Sequence, residues 1–289
     1  MFVRPPLPAA YSLRLAALRQ WFCAALLCLC AGSAAAGGAP RVEVTVADAD
    51  WGEARVEEIR AVLEAVAGEL ALLFPSHAPL RLHVAPSASS PMVLFRRNAS
   101  GAHQVLLRAR DRIWADYVYE FAHELGHIYT NYGRHAREPG LARYQWFEEA
   151  VCDMVALYTL RRLSGQSGAA ALPLLASQRD AMRELADQLM RAPHRSALHG
   201  ADLAAWLRAN EPALRANPYL RQRNEQVAAQ LLKIFEREPA RLVALAFLNA
   251  SSAPAPADFG GYLADWCEHT PVAAQPVVRE IMALSVSPP

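Results

Sequence analysis

Residues 113–128 read IWADYVYEFAHELGHI, with Ile113, Tyr117, Phe121, Leu125 and Ile128 recurring every three or four positions. That spacing lines one face of an α-helix with apolar groups and leaves the rest of its surface to polar ones. The stretch divides the chain: strand-like segments precede it, and helical periodicity follows almost without interruption.

Upstream, Arg41-Val42-Glu43-Val44-Thr45-Val46 alternates polar and apolar residues with period two, as a half-buried strand does. Asp50 with Glu53 resembles a capping box, opening a helix whose stripe is Val56, Ile59, Val62, Leu63, Val66, Leu70 and Leu73. Pro75 is expected to end it. Leu80 to Val84, Met92 to Phe95 (the weakest) and His103 to Arg108 are further strand candidates. Downstream, a polar loop from Tyr132 to Tyr144 leads to a second strong helix, Gln145 to Leu163. Ser164-Gly165-Gln166-Ser167-Gly168 reads as a break, followed by helices near 172–190, 201–209, 218–236, 238–249 and 273–285. The expected fold is therefore α+β, with a small β-sheet packed on the 113–128 helix and a mostly α-helical C-terminal part. The expected division is 1–36 as a leader, 37–164 as a first domain and 165–289 as a second.

The leader assignment rests on Arg14 and Arg19, the apolar run Trp21 to Ala31, and the small residues Gly32 to Ala36 with an A-x-A site at Ala34 to Ala36. This is the pattern of a secretory signal peptide, so the protein is expected to be secreted or periplasmic. An uncleaved anchor helix is the alternative and the only expected link to a membrane; the apolar stretch falls short of the ~20 residues of a comfortable span, which favours cleavage. Removing 1–36 takes Arg4, Arg14 and Arg19 and no acid, so the 29 basic residues become 26 against 28 acidic ones. Charge so near balance offers nothing to a nucleic acid or an anionic membrane. Cys152 and Cys267 are the cysteines left, with a disulfide and two free thiols both open on count.

Within Phe121-Ala122-His123-Glu124-Leu125-Gly126-His127, the two histidines stand four apart, one helical turn, so both imidazoles can reach one ion. Zinc takes nitrogen and oxygen ligands tetrahedrally, and a catalytic site keeps one position for water. Glu124 sits beside the first ligand, placed to take a proton from that water as general base. A third ligand is needed, and Trp146-Phe147-Glu148-Glu149-Ala150-Val151-Cys152-Asp153 offers two adjacent carboxylates.

These two segments resemble the gluzincin group of zinc peptidases, the thermolysin-like and aminopeptidase-like enzymes. In that group a glutamate on a later helix, in a W-[FL]-x-E-[GA]-x-[AC]-D context, completes the site, and Trp146, Phe147, Glu149, Ala150 and Asp153 match it. The resemblance covers roughly Val105 to Leu163. It implies a zincin-like fold, Zn2+ as cofactor, a peptide or protein substrate, Glu149 as third ligand, and Asp153 as the acid that holds a ligand histidine by its free N–H. Glu148 is the rival of Glu149 but has Cys152, not an acid, four residues on. The resemblance also implies that the edge strand before the active-site helix binds substrate backbone, a place taken by Val105 to Arg108. Gly126 is expected to let the helix pack closely.

The metzincin pattern does not fit, since Thr130 and Gly133 occupy its next two positions. His135 lies off that spacing and is expected to be solvated. Cys152 is expected to point away from the Glu149–Asp153 face. The group usually adds a Tyr or His that stabilises the oxyanion; His194, His199, Tyr219 and Tyr262 are candidates, with no motif to choose among them. No exopeptidase motif is evident, which favours an endopeptidase. Tyr158 and Trp146 read as core aromatics. Two other functions remain open: a non-catalytic envelope protein with a structural zinc, and a zinc hydrolase of a non-peptide amide or ester.

Overall fold

A computed structural model describes residues 42–74, 78–135, 137–165, 173–198 and 203–285. The leader expected at 1–36, Pro75, and His199 lie outside the described residues. Residues Arg41–Pro289 form one compact unit.

The N-terminal part is a βαβ unit. Strands β1 (Val42–Val46) and β2 (Leu80–Pro86) run parallel, with Val42 opposite Leu80, and helix α1 (Val56–Leu73) connects them. Helix α1 begins at Val56, not at Asp50. Gly52, at φ 70°, turns the chain first, and its N–H is held by the Asp50 carboxylate at 3.0 Å. The carboxylate that caps the helix is Glu58, which accepts the Arg55 N–H at 3.2 Å. Strand β4 (His103–Leu107) pairs parallel with β2, and the short β3 (Met92–Val93) returns antiparallel on its far side. The sheet order is therefore β1-β2-β4-β3.

One face of this sheet supplies Val44, Leu80, Leu82, Val84, Val105 and Leu107 to the core, where they meet Ile59, Val62, Leu63, Val66 and Leu70 of α1. Helix α2 (Trp114–Tyr129) adds Tyr117, Val118, Phe121 and Leu125, the stripe read from the sequence. Burying each such side chain stabilises the fold by about 1.5–3 kcal/mol. The architecture is α+β, a small sheet followed by a helical part.

Helix α3 (Gln145–Gly165) is the centre of that helical part. It is buried on nearly every side, as a helix enclosed by others must be. Helices α4 (Pro173–Ala176), α5 (Arg179–Arg191), α6 (Pro193–Ser196), α7 (Leu203–Ala216), α8 (Arg221–Arg237), α9 (Phe259–His269) and α10 (Gln275–Ser285) follow, with a 3-10 segment at Pro239–Phe247. The break expected near Ser164 does not separate two cores: Leu157 and Leu160 belong to the same buried cluster as Leu175, Met182, Leu231 and Phe235. Helix α9 has no counterpart among the expected helices. Its start carries a readable signal, since the Asp258 carboxylate accepts the Gly261 N–H at 2.7 Å. Among the described residues, no helix is long and apolar enough to cross a membrane.

Helices α2 and α3 cross where Gly126 meets Cys152. A Cβ on Gly126 would lie 3.0 Å from Cys152 Sγ and 3.1 Å from its Cα, so the close packing expected of Gly126 is present. Because the second contact is with backbone, a rotamer change cannot relieve it. Gly126→Ala should destabilise the protein by about 1–3 kcal/mol, read as a fall in the thermal unfolding midpoint. Cys152→Ala in the same background should restore only part of the loss; full restoration would mean that the thiol alone sets the spacing.

Candidate metal centre

Helices α2 and α3 lie antiparallel at this crossing, pairing Tyr119 with Asp153, His123 with Glu149, and His127 with Glu148. The middle pair is the candidate site. His123 Nε2 lies 3.4 Å from Glu149 Oε2, and His127 Nε2 lies 3.7 Å from Glu149 Oε1. One nitrogen from each histidine and one oxygen of Glu149 fall within 4.8 Å of one another. Ligands bound at ~2.0–2.1 Å in a tetrahedron stand about 3.3 Å apart, so each histidine lies near that separation from a Glu149 oxygen. All three are half-buried, His127 the most enclosed.

Glu124 is next to His123 and only 3 % exposed. Burial raises its pKa, and the Glu149 charge adds to this; the two histidines and the Val93 N–H of β3 partly offset the rise. A carboxylate held in this way is a stronger base than an ordinary glutamate. At Glu149, burial is outweighed by His123 and His127, which pull the pKa below the usual carboxylate value.

The acid expected to hold a ligand histidine is not Asp153. Asp153 receives Arg195 Nη1 at 2.7 Å and Nη2 at 3.3 Å, together with the Tyr119 hydroxyl. Antiparallel packing is the reason. One turn onward from Glu149 on α3 is one turn back from His123 on α2, which is Tyr119. The histidine is held by Glu148 instead, whose Oε1 accepts from His127 Nδ1 at 2.7 Å. Its Oε2 takes the Asn249 amide at 2.8 Å and His135 Nε2. His135 is thus buried and paired, not solvated. Cys152 also turns toward this side: its thiol lies in a second group with His127 and Glu148. Burial pushes that thiol up to about 12, so it is protonated at neutral pH. Cys152 and Cys267 are both free.

No family model matches this chain, and no curated protein is similar to it.

A cleft of about 890 Å³ opens over the centre. Its floor is the stripe Asp116, Tyr119, Glu120, His123, Glu124 and His127 of α2. From Asp116 to His127 the helix rises roughly 17 Å, room for about five residues of extended chain. Residues 90–95, including β3, form one wall, while Leu185, Leu189, Tyr219, Arg221, Asn224 and Glu225 line the other side. The strand expected at the edge, Val105 to Arg108, is interior: β4 is paired on both sides, and β3 is the edge. The weak alternation at Met92 to Phe95 concealed this, because β3 is two residues long.

Of the oxyanion candidates, His194 is engaged by Glu225, and Tyr262 is buried with its hydroxyl donated to Asn249 at 2.8 Å. Tyr219 is exposed at the cleft, and its oxygen accepts from Gln145 Nε2 at 2.8 Å, which leaves its own proton to donate. Tyr158 and Trp146 are core aromatics, as read.

At Glu148, burial opposes ionisation, but His135 and His127 outweigh it and hold the pKa at about 2, below the ordinary 4.5. The ionised carboxylate therefore stabilises the fold above pH 4.5, and that contribution is lost as pH falls towards 2. In urea unfolding of metal-free protein, the stability gap between wild type and Glu148→Gln should narrow over that range. A gap that does not change with pH would show that the charge contributes nothing.

Proposed function

We propose that this protein is an exported zinc-dependent hydrolase that cleaves peptide bonds, an endopeptidase of gluzincin type. The observation that carries the reading is the convergence of His123, His127 and Glu149 at separations near the edge of a zinc tetrahedron, with Glu124 beside them. His123, His127 and Glu149 would hold the ion. Bound there, zinc supplies a Lewis acid that polarises a carbonyl and lowers the pKa of water to about 7.

The chain's own groups account for the rest. Glu124, buried and with a raised pKa, takes the proton of the attacking water and passes it to the leaving amine. Tyr219 lines the cleft with its oxygen occupied by Gln145, and its proton would be donated to the oxyanion that forms on the scissile carbonyl. Edge strand β3 has one side paired to β4 and the other toward the cleft, where an extended peptide can add a strand. That feature, with a floor long enough for several residues, favours a peptide over a small ester or amide. A metal used only as a brace would not require a buried carboxylate beside it or an open cleft above it. Export is proposed from the leader pattern at Arg14 to Ala36.

Metal analysis of the purified protein should find one zinc per chain, lost in His123→Ala and sharply reduced in Glu149→Gln. With a peptide-library substrate, Glu124→Gln should keep its zinc and lose roughly 10²–10⁴ in kcat. Tyr219→Phe should lose on the order of 10² in kcat with KM little changed. A wild-type chain that takes up no zinc sinks the proposal, and zinc bound without hydrolysis of any peptide leaves a structural metal.

A further inference from the structure

Asn249 stands 101 residues beyond Glu148, in the connection between the 3-10 segment and α9. Its backbone is left-handed, at φ 58°, a conformation that Asn tolerates better than other side-chain-bearing residues. Its side chain is buried, and every polar position on it is used. The amide nitrogen donates to the Thr130 carbonyl, just past the end of α2, at 3.1 Å, and to Glu148 Oε2 at 2.8 Å. The amide oxygen accepts the Tyr262 hydroxyl at 2.8 Å. Tyr262 is itself fixed by stacking on Tyr144, with ring centroids 4.4 Å apart. One amide thus joins the end of α2, the ligand-bearing helix α3 and the C-terminal helix α9.

The consequence falls on the metal site. Glu148 Oε2 is held by Asn249 and by His135, so the carboxylate cannot rotate, and Oε1 stays on His127 Nδ1 at 2.7 Å. With Nδ1 held, Nε2 is the nitrogen turned toward Glu149. A carboxylate in this position fixes the imidazole's orientation and raises its basicity as a ligand. An Asp at 249 could not substitute, because it offers no donor and would set a second negative charge against Glu148.

We infer that Asn249, oriented by Tyr262, is a positioning residue for metal binding, acting through Glu148 on His127, so that the C-terminal helical part sets the affinity of a site whose ligands all lie on α2 and α3. This rests on the zinc reading above.

The test is a double-mutant cycle on zinc affinity, measured with a competing chromogenic chelator at fixed pH. Glu148→Ala should weaken zinc binding about 10–100-fold. Asn249→Ala should weaken it about 10-fold in the wild-type background and by less than about 2-fold when Glu148 is already Ala, since an effect relayed through Glu148 disappears with it. A purely structural loss would instead appear equally in both backgrounds. Tyr262→Phe keeps the ring stack and removes only the hydroxyl, so it serves if Asn249→Ala does not fold; it should show a smaller loss that likewise vanishes without Glu148. Equal losses in both backgrounds, or unchanged affinity in Asn249→Ala and Tyr262→Phe, overturn this inference and leave the zinc site standing. A wild-type protein that binds no zinc overturns the zinc reading, and this inference with it.

Discussion

The close antiparallel crossing of α2 and α3 is the constraint on which the rest of the structure depends. Gly126 lets the two backbones approach to a distance at which even a methyl group would collide with Cys152. At that spacing, side chains one turn apart on α2 meet side chains of α3 in reverse order, Asp153 and Glu149 one turn apart and Glu148 next to Glu149. Three polar pairs follow from this one contact: Tyr119 with Asp153, His123 with Glu149, and His127 with Glu148. The sheet and α1 hold α2 from one side, and the C-terminal helices enclose α3 from the other, so neither helix is free to slide.

Such a crossing brings charge into the interior, and each carboxylate is compensated differently. Glu148 is surrounded by two imidazoles and an amide and stays ionised far below the usual pH. Asp153 is matched by Arg195, a guanidinium with no exposed side-chain surface that also faces Glu225. Removing one partner of a buried pair of this kind typically costs about 3–5 kcal/mol, because the other charge is stranded. Glu124 has the least compensation and the raised pKa that goes with it. It lines the cleft directly beside His123, which makes it the carboxylate best placed for proton transfer.

This arrangement also gives the C-terminal half its place. Arg195 and Asn249 come from beyond residue 165 and reach back to α3, and Glu225 in turn holds Arg195. The chain closes its site with polar contacts from the helical part, while the ligand set itself needs only two helices.

The helix pair, its stripe of apolar residues and the pairing of His123 with His127 were legible without coordinates, because a helix places residues four apart on one face whatever surrounds it. The α+β class was legible for the same reason, since periods of two and of three to four are properties of the local backbone. Glu149 as partner of both histidines came from the resemblance, and the geometry brings the three together. The identity of the acid behind His127 was not legible. Glu148 and Asp153 both lie within about one helical turn of Glu149, and only the direction in which α3 crosses α2 selects between them. Nor could spacing reveal that His135 is buried, that two residues of β3 form the sheet edge, or that Asn249 and Tyr262 reach the site from more than a hundred residues away. Sequence by itself determined what one helix or strand does with its own neighbours. Tertiary structure decided which neighbours meet across elements, because the angle, direction and depth of packing are set by the whole core at once.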